Sequence, residues 1–176
     1  MQTIPRSDRR PVRVLWAIKG LGLGGAEQLL AASAKTADHE RFRYEIAYVR
    51  PDKSRLVESL GTSGVTSTPL GGGRLGSLTW PVRLRRLLAC GDYDVVHAHS
   101  PLVAGVARIA AHTVRPSRRP AVVSTEHNEW PSFVLPTRLL KAATALLDDH
   151  RWAVSEQVRD SVWAPLRPGV EVLVHG

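Results

Sequence analysis

Several things are scarce in this chain, and each scarcity removes a class of explanation. Cys90 is the single cysteine, so no disulfide can form within the chain. It reads as a small buried apolar residue near the end of a helix, not as a nucleophile. No apolar run approaches the roughly 18 residues a membrane-spanning helix needs. Residues 1–10 are polar and charged and hold no apolar core of the kind a secretory signal requires, so the expected compartment is the cytoplasm. Aromatics make up only 6% of residues and do not interleave with the basic runs, which argues against a stacking platform for single-stranded nucleic acid and against a nucleic-acid partner.

Basic residues are plentiful. There are 24 Lys and Arg against 16 Asp and Glu, a formal net charge of +8, with arginines gathered at 6–13, 83–86 and 115–119. Such a surface suits an anionic membrane face or phosphorylated substrates; solvated surface charge is the plainer alternative. A length of 176 residues fits one compact α/β domain with a sizeable core. Residues 1–11 are expected to be a disordered leader and 12–176 the domain.

The most informative stretch is VRVLWAIKGLGLGGAEQLL, Val12 to Leu30. Val12, Val14, Leu15, Trp16 and Ile18 suit a buried parallel strand. Gly20, Gly22, Gly24 and Gly25 then strip the turn of side chains, which permits positive φ and close approach of a ligand to peptide N–H groups. A helix over 26–37 follows. The free N–H groups of its first turn are a natural phosphate site. Gly20-x-Gly22-x-x-Gly25 also satisfies the dinucleotide fingerprint. That pattern wants a ribose-binding acid after the second strand. Here the strand over 42–49 ends in Arg50-Pro51-Asp52, where Arg50 suits a 2′-phosphate and Asp52 a ribose. A nucleotide- or NADP-binding module therefore stays open.

Further along, 54–60 reads as a short helix capped by Ser54 and stopped by Gly61. A short strand over 64–70 leads to the loop Gly71-Gly72-Gly73. A helix over 78–90 takes Pro81 in its first turn. It interleaves Val82, Leu84, Leu87 and Leu88 with Arg83, Arg85 and Arg86, a pattern shared by membrane-surface helices and by ordinary core-facing amphipathic ones. A fourth strand runs through His97, and Ser100-Pro101 opens the next helix with Val103, Val106, Ala107 and Ala110 inward. The strand over 121–125 delivers Glu126-His127-Asn128-Glu129-Trp130 at its exit. A helix over 135–149 should turn Leu139, Leu140, Ala143 and Leu146 or Leu147 inward. Strands over 150–154 and 170–174 flank a helix that begins at Ser155.

Asp92-Tyr93-Asp94 has the form of a metal-nucleotide D-x-D. Those aspartates enter a strand, whereas α/β ligand sites lie beyond strand carboxyl ends, so a turn with Asp94 opening the strand is the better reading. His97 and His99 form an H-x-H with no third ligand nearby, so no metal is expected. His99 falls at the ligand edge, and His97 reads as packed. His127, at a strand exit, suits a sugar hydroxyl or proton sharing, or ties down its own loop.

Taken in order, GLGLGGAEQLL (20–30), YDVVHAHSPLVAGV (93–106), VVSTEHNEW (122–130) and AVSEQVRDSV (153–162) resemble the N-terminal domain of family 4 glycosyltransferases. These are retaining, nucleotide-sugar-dependent enzymes of the two-lobed GT-B fold. VEVLVHG (170–176) resembles the strand and turn leading to the second lobe. The resemblance implies a Rossmann-like, mostly parallel sheet with helices on both faces, a single GT-B lobe. It places Gly24 and Gly25 at the donor diphosphate and Glu27 just behind them. It gives His127 to the transferred sugar, His99 and Ser100 to the loop bordering the acceptor cleft, and Ser155 to the cleft between lobes. It implies no cofactor beyond a nucleoside diphosphate sugar as donor substrate, and no metal. The acceptor would be a glycan, lipid or small molecule, with an anionic membrane at the inner face as a further partner. The family's donor-binding lobe, with its basic residues and paired glutamates, lies outside this sequence, so the chain by itself is expected to have little or no transferase activity and to be a truncated product, a fragment, or one half of a split enzyme with that lobe as its partner. A sugar-nucleotide epimerase of the same two-lobed shape fits the ordered motifs less well.

Overall fold

The computed structural model describes residues 10–72 and 76–174. Seven strands form one parallel sheet: β1 (Val12–Ile18), β2 (Phe42–Tyr48), β3 (Thr66–Pro69), β4 (Val95–Ala98), β5 (Ala121–Glu126), β6 (His150–Ala153) and β7 (Glu171–Val172). Their order is β3-β2-β1-β4-β5-β6-β7, and every neighbouring pair is parallel. The chain works outward from β1 to β3, returns across the sheet to β4, and proceeds to the other edge. This is a doubly wound α/β fold of the Rossmann type, whose ligands belong outside the carboxyl ends of the strands next to the reversal, at β1 and β4.

Among the described residues six α-helices connect the strands: α1 (Gly25–Thr36), α2 (Val57–Thr62), α3 (Gly76–Cys90), α4 (Pro101–His112), α5 (Leu135–Thr144) and α6 (Glu156–Ser161). Alternation along the strands sorts them into layers. Val14, Trp16 and Ile18 of β1 and Ile46 and Tyr48 of β2 pack with Leu30 and Ala34 of α1 and Leu60 of α2. The intervening Leu15, Ala17 and Ala47 join Val96, Ala98 and Val122 against Leu84 and Leu88 of α3 and Val103 and Ala107 of α4. A third cluster beside β6 gathers Trp130, Ala145, Ala153, Val158 and Val162.

Some local expectations fail for identifiable reasons. The positive φ that the glycines after β1 permit is not used there; among the described residues only Gly64, Gly72 and Asp92 have it. Gly20 serves close packing instead, since a Cβ there would collide with the Lys53 side chain. Helix α2 starts at Val57 with Leu56 as its N-cap, so Ser54 does not cap it and Gly61 lies inside it. Helix α3 begins at Gly76, which puts Pro81 in its interior rather than its first turn. Cys90 is exposed, not buried. The α5 helix ends at Thr144 and continues as a 3-10 turn over Ala145–Leu147. Its inward residues are Lys141, Thr144 and Ala145, while Leu139 and Leu146 face solvent and Ala143 is exposed. The buried partners are ionic there, so a reading that looks for apolar periodicity turns the helix the wrong way. Gly73, His175, Gly176 and residues 1–9 lie outside the described residues.

Candidate active site

Loops leaving β1, β4, β5 and β6 place the anticipated residues on one edge of the sheet. After β1 the chain runs through Lys19 and Gly20, buries Leu21 completely, and reaches Gly24, the N-cap of α1. Leu21 is held by bonds of its N–H to the Lys53 carbonyl and of its carbonyl to the Leu56 N–H. Gly24 has extended backbone (φ −75°, ψ 167°) and no side chain caps the helix. The first-turn N–H groups of α1 therefore lack a side-chain acceptor, the condition that makes a helix N-terminus attractive to an anion. A Cβ on Gly24 would run into the Glu27 carboxylate. Glu27 thus stands over the helix start, and an incoming phosphate would have to displace its flexible side chain.

Ser100 is the N-cap of α4, yet its hydroxyl does not cap that helix. It accepts from the Lys19 N–H at 3.0 Å and ties the β4 exit to the β1 exit. His99 is buried, with its ring edge-on to Trp16, centroids 6.4 Å apart. Its Nδ1 lies 3.2 Å from Nε2 of half-buried His127, an imidazole–imidazole hydrogen bond in which one ring donates and the other accepts. Two imidazolium rings cannot make that bond, because both facing nitrogens would be donors. Below them His97 bonds Thr125 Oγ1 through Nε2 at 2.7 Å and lies under His99, ring centroids 4.0 Å apart. The H-x-H is thus part of a packed row of rings. Among the described residues, no group of three His, Cys, Asp or Glu is placed to hold a metal ion.

The β5 exit is clamped from behind. Glu126 turns away from the edge, is buried, and pairs with the fully buried Lys141 of α5. The Lys141 ammonium also sits over the Trp130 ring at 4.7 Å and the Phe133 ring at 4.4 Å. Burial pulls this ammonium below the usual lysine range, against the Glu126 carboxylate, which favours the charge. Next to it, Arg108 of α4 forks onto Asp148 at 2.8 and 2.5 Å and bonds Thr144 and Ser124 hydroxyls. Ser124 in turn donates to Asp148 at 2.8 Å. At the β6 exit, Ser155 caps α6, accepting from the Val158 N–H at 3.2 Å. Trp130 N–H donates to Ser161 Oγ at 3.0 Å, and Gln157 donates to Glu129 at 2.7 Å, which fasten the His127 loop to α6.

Gly24, Gly25, Glu27, His99, Ser100, His127 and Ser155 therefore share the carboxyl edge. The bonds that knit this rim run from Lys19 through Ser100 and along His99 to His127. Asp92 and Asp94 lie at the opposite, amino edge, where Asp94 takes both prongs of Arg10 (2.7 and 2.6 Å) and the Arg13 N–H. Arg50 and Asp52, the pair a ribose phosphate would need, bond each other at 2.6 Å.

Sequence reasoning did not single out Arg108, Lys141, Asp148 or Lys19. One signal was available for Arg108. It is the lone charge in PLVAGVARIAAH, one turn on from Ala104, on the helix face that the apolar pattern turns inward. Lys19 acts through its backbone, which no side-chain pattern reveals.

Comparison with known proteins fits this geometry. The model of a family described as Glycosyltransferase Family 4 matches residues 23–173. Among solved structures, Anabaena Alr3699/HepE in complex with UDP superposes with a TM-score of 0.69 at 17% identity, over 94% of this chain and 44% of that one. The lipopolysaccharide outer core galactosyltransferase WaaB, in its apo form, gives 0.70 at 12% identity, over 93% and 46%. UDP-GlcNAc 2-epimerase from Methanocaldococcus jannaschii gives 0.58 at 15% identity, over 93% and 45%. At such identities the likeness establishes the fold, and this chain spans less than half the length of each. No curated protein matches the sequence.

Proposed function

Because the chain belongs to glycosyltransferase family 4, we propose that it is the acceptor-side lobe of an enzyme that moves a sugar from a nucleoside diphosphate sugar to an acceptor hydroxyl. The observation that carries this reading is the His99–His127 bond at the carboxyl edge, beside the uncapped start of α1. In the reaction the bond from the anomeric carbon to the diphosphate oxygen breaks, the acceptor oxygen bonds that carbon, and the acceptor proton passes to the released diphosphate. Charge grows on the leaving diphosphate. N–H groups at Gly24 and Gly25 would face it from this lobe, with the α1 dipole behind them. Glu27 swings aside as the anion arrives.

His127, half-buried and steadied by His99, would hold a hydroxyl of the transferred sugar. His99 and Ser100 border the acceptor side, and Ser155 stands where the second lobe closes. That lobe would bring the nucleotide sugar and further cations for the leaving group. This chain alone would then turn over poorly, since leaving-group stabilisation is commonly the largest catalytic contribution.

Sugar transfer from nucleotide sugars, assayed with the chain alone and mixed with a donor-binding lobe, tests this. Transfer only in the mixture, cut about a hundredfold by His127→Ala, is the expected result. Robust turnover by the chain alone would overturn the need for a second lobe. An epimerised nucleotide sugar without transfer would replace the reaction class.

A further inference from the structure

Basic side chains at the two edges of the sheet are held differently. Four arginines line a cavity at the amino edge, and each faces a carboxylate: Arg10 meets Asp94, Arg13 meets Glu45, Arg118 meets Asp92 and Arg119 meets Asp149. At the carboxyl edge, the loops leaving β1 and β2 (19–24 and 49–56) carry Lys19, Arg50, Lys53 and Arg55 against one carboxylate, Asp52. Arg50 takes Asp52 at 2.6 Å. Lys19, Lys53 and Arg55 are exposed, and among the described residues none of the three lies in an ion pair. The further acids at this end are Glu27 and Glu58, in the first turns of α1 and α2, and Glu27 lies against Gly24.

Backbone bonds fix where these cations stand. The Arg50 N–H donates to the Lys19 carbonyl at 2.8 Å, the Lys53 N–H to the Arg50 carbonyl at 3.0 Å and the Leu21 N–H to the Lys53 carbonyl at 2.7 Å. The Lys53 stem lies along Gly20, where a Cβ would stand 2.9 Å from the Lys53 Cβ and 3.2 Å from its Cδ. The Lys19 N–H donates to the Ser100 hydroxyl, which joins this corner to the row running through His99 to His127. Along that row the strands follow in the order β2, β1, β4, β5. At about 4.8 Å between strands, the β1 exit stands about 5 Å and the β2 exit about 10 Å from the β4 exit.

We propose that this corner binds a phosphate of the acceptor, an ester carried on the same sugar or polyol ring as the accepting hydroxyl or on the next ring. The inference rests on the sugar-transfer reading, which puts that hydroxyl beside His99 and Ser100. A phosphate one or two strand spacings away then falls between Lys19 and Lys53. An ammonium is a point charge with three rotatable donors, so two of them can follow a phosphate without a fixed geometry. A phosphate monoester, close to doubly charged at neutral pH, matches more than one cation, as a single carboxylate does not. The leaving diphosphate is a separate anion, assigned to the N–H groups at the start of α1.

The test is an NMR titration of the chain with glucose 6-phosphate, with glucose as the uncharged counterpart. Saturable shifts at the Lys19, Gly20 and Lys53 amides are expected with the phosphate and none with glucose. Lys19→Gln/Lys53→Gln should weaken binding at least about tenfold, since it removes two charge-assisted contacts. Arg118→Gln at the amino edge should leave it unchanged. Circular dichroism confirms that each variant remains folded. With UDP-glucose already bound, the same shifts should still appear; mutual displacement overturns the proposal, because the corner would then belong to the donor. So does an equal loss in Arg118→Gln, which would mean diffuse charge. Dihexanoylphosphatidic acid, below its micelle concentration, carries a phosphate on a lipid: weaker binding than glucose 6-phosphate supports a ring-borne phosphate, and tighter binding overturns it. A corner silent to glucose 6-phosphate while UDP-glucose shifts Gly24 and Gly25 overturns the proposal and leaves the sugar-transfer reading standing. The reverse pattern keeps the phosphate site and removes that reading.

Discussion

The two halves of the sheet are supported by different chemistry. Beneath β1 and β2, contact with α1 and α2 runs through uncharged side chains: Trp16, Ile18, Ile46 and Tyr48 meet Leu30, Ala34 and Leu60. Beneath β5 the helices α4 and α5 bring charges instead. Arg108 meets Asp148 with both side chains 1% exposed, and Lys141 meets Glu126. Apolar contact is non-directional, so the first half can absorb small displacements of its helices. A buried ion pair loses its compensation once displaced, so the second half is held to one arrangement of β5, α4 and α5. Glu126 immediately precedes His127, and the half that fixes the rim is therefore the half with directional support.

Breaking that support should be costly in proportion to the charge left unpaired. Asp148→Ala strands the Arg108 guanidinium and should lower unfolding stability by about 4 kcal/mol in urea titration. Lys141→Met strands the Glu126 carboxylate and should cost about 3 kcal/mol. The double variant Lys141→Met/Glu126→Leu should recover most of that loss, because no buried charge remains. If the double variant is as unstable as the single one, packing of the Lys141 stem, not charge, holds α5.

A truncation in the apolar half sharpens the contrast. Ile46→Val removes one methylene at a completely buried position and should cost about 1 kcal/mol, with no dependence on a partner.

The smallest effect belongs to the amino edge. The Asp94 carboxyl is held below its usual range chiefly by the Arg10 hydrogen bond, with the Arg13 N–H assisting. A carboxyl depressed on folding contributes stability above its unfolded pKa and loses it as pH falls through the folded value. Asp94→Asn should therefore lower the urea midpoint slightly at neutral pH and flatten its decline below about pH 4. An unchanged acid limb would mean that the Arg10 pair adds nothing to folding.

The same contrast sets what could be read from residues alone. The apolar half was legible. β1 runs from Val12 to Ile18 as its apolar residues indicate, and β2 ends within a residue of expectation. The positions of His99, His127 and Ser155 at strand exits were legible too, because polar groups clustered where apolar runs stopped. The face of α5 was not, since Leu139 and Leu146 satisfy a helical pattern and still point outward, while Lys141 and Thr144 go in to meet charges from elsewhere. The His99–His127 bond was also hidden. It joins residues 28 apart and depends on the β4–β5 register, Ala98 opposite Ser124, which no local pattern encodes. Ser100 is the N-cap residue of α4, as its place before Pro101 indicates, but the partner of its hydroxyl is a backbone N–H on another loop.

Mapping of a nucleoside diphosphate sugar onto the chain by NMR, following backbone amides and histidine ring nitrogens together, tests the proposed rim most directly. The account predicts coincident shifts at the Gly24 and Gly25 amides and at the His99 and His127 rings, with Arg10, Arg13, Arg118 and Arg119 at the amino edge unmoved. Shifts confined to those arginines, with the histidine rings silent, would contradict it.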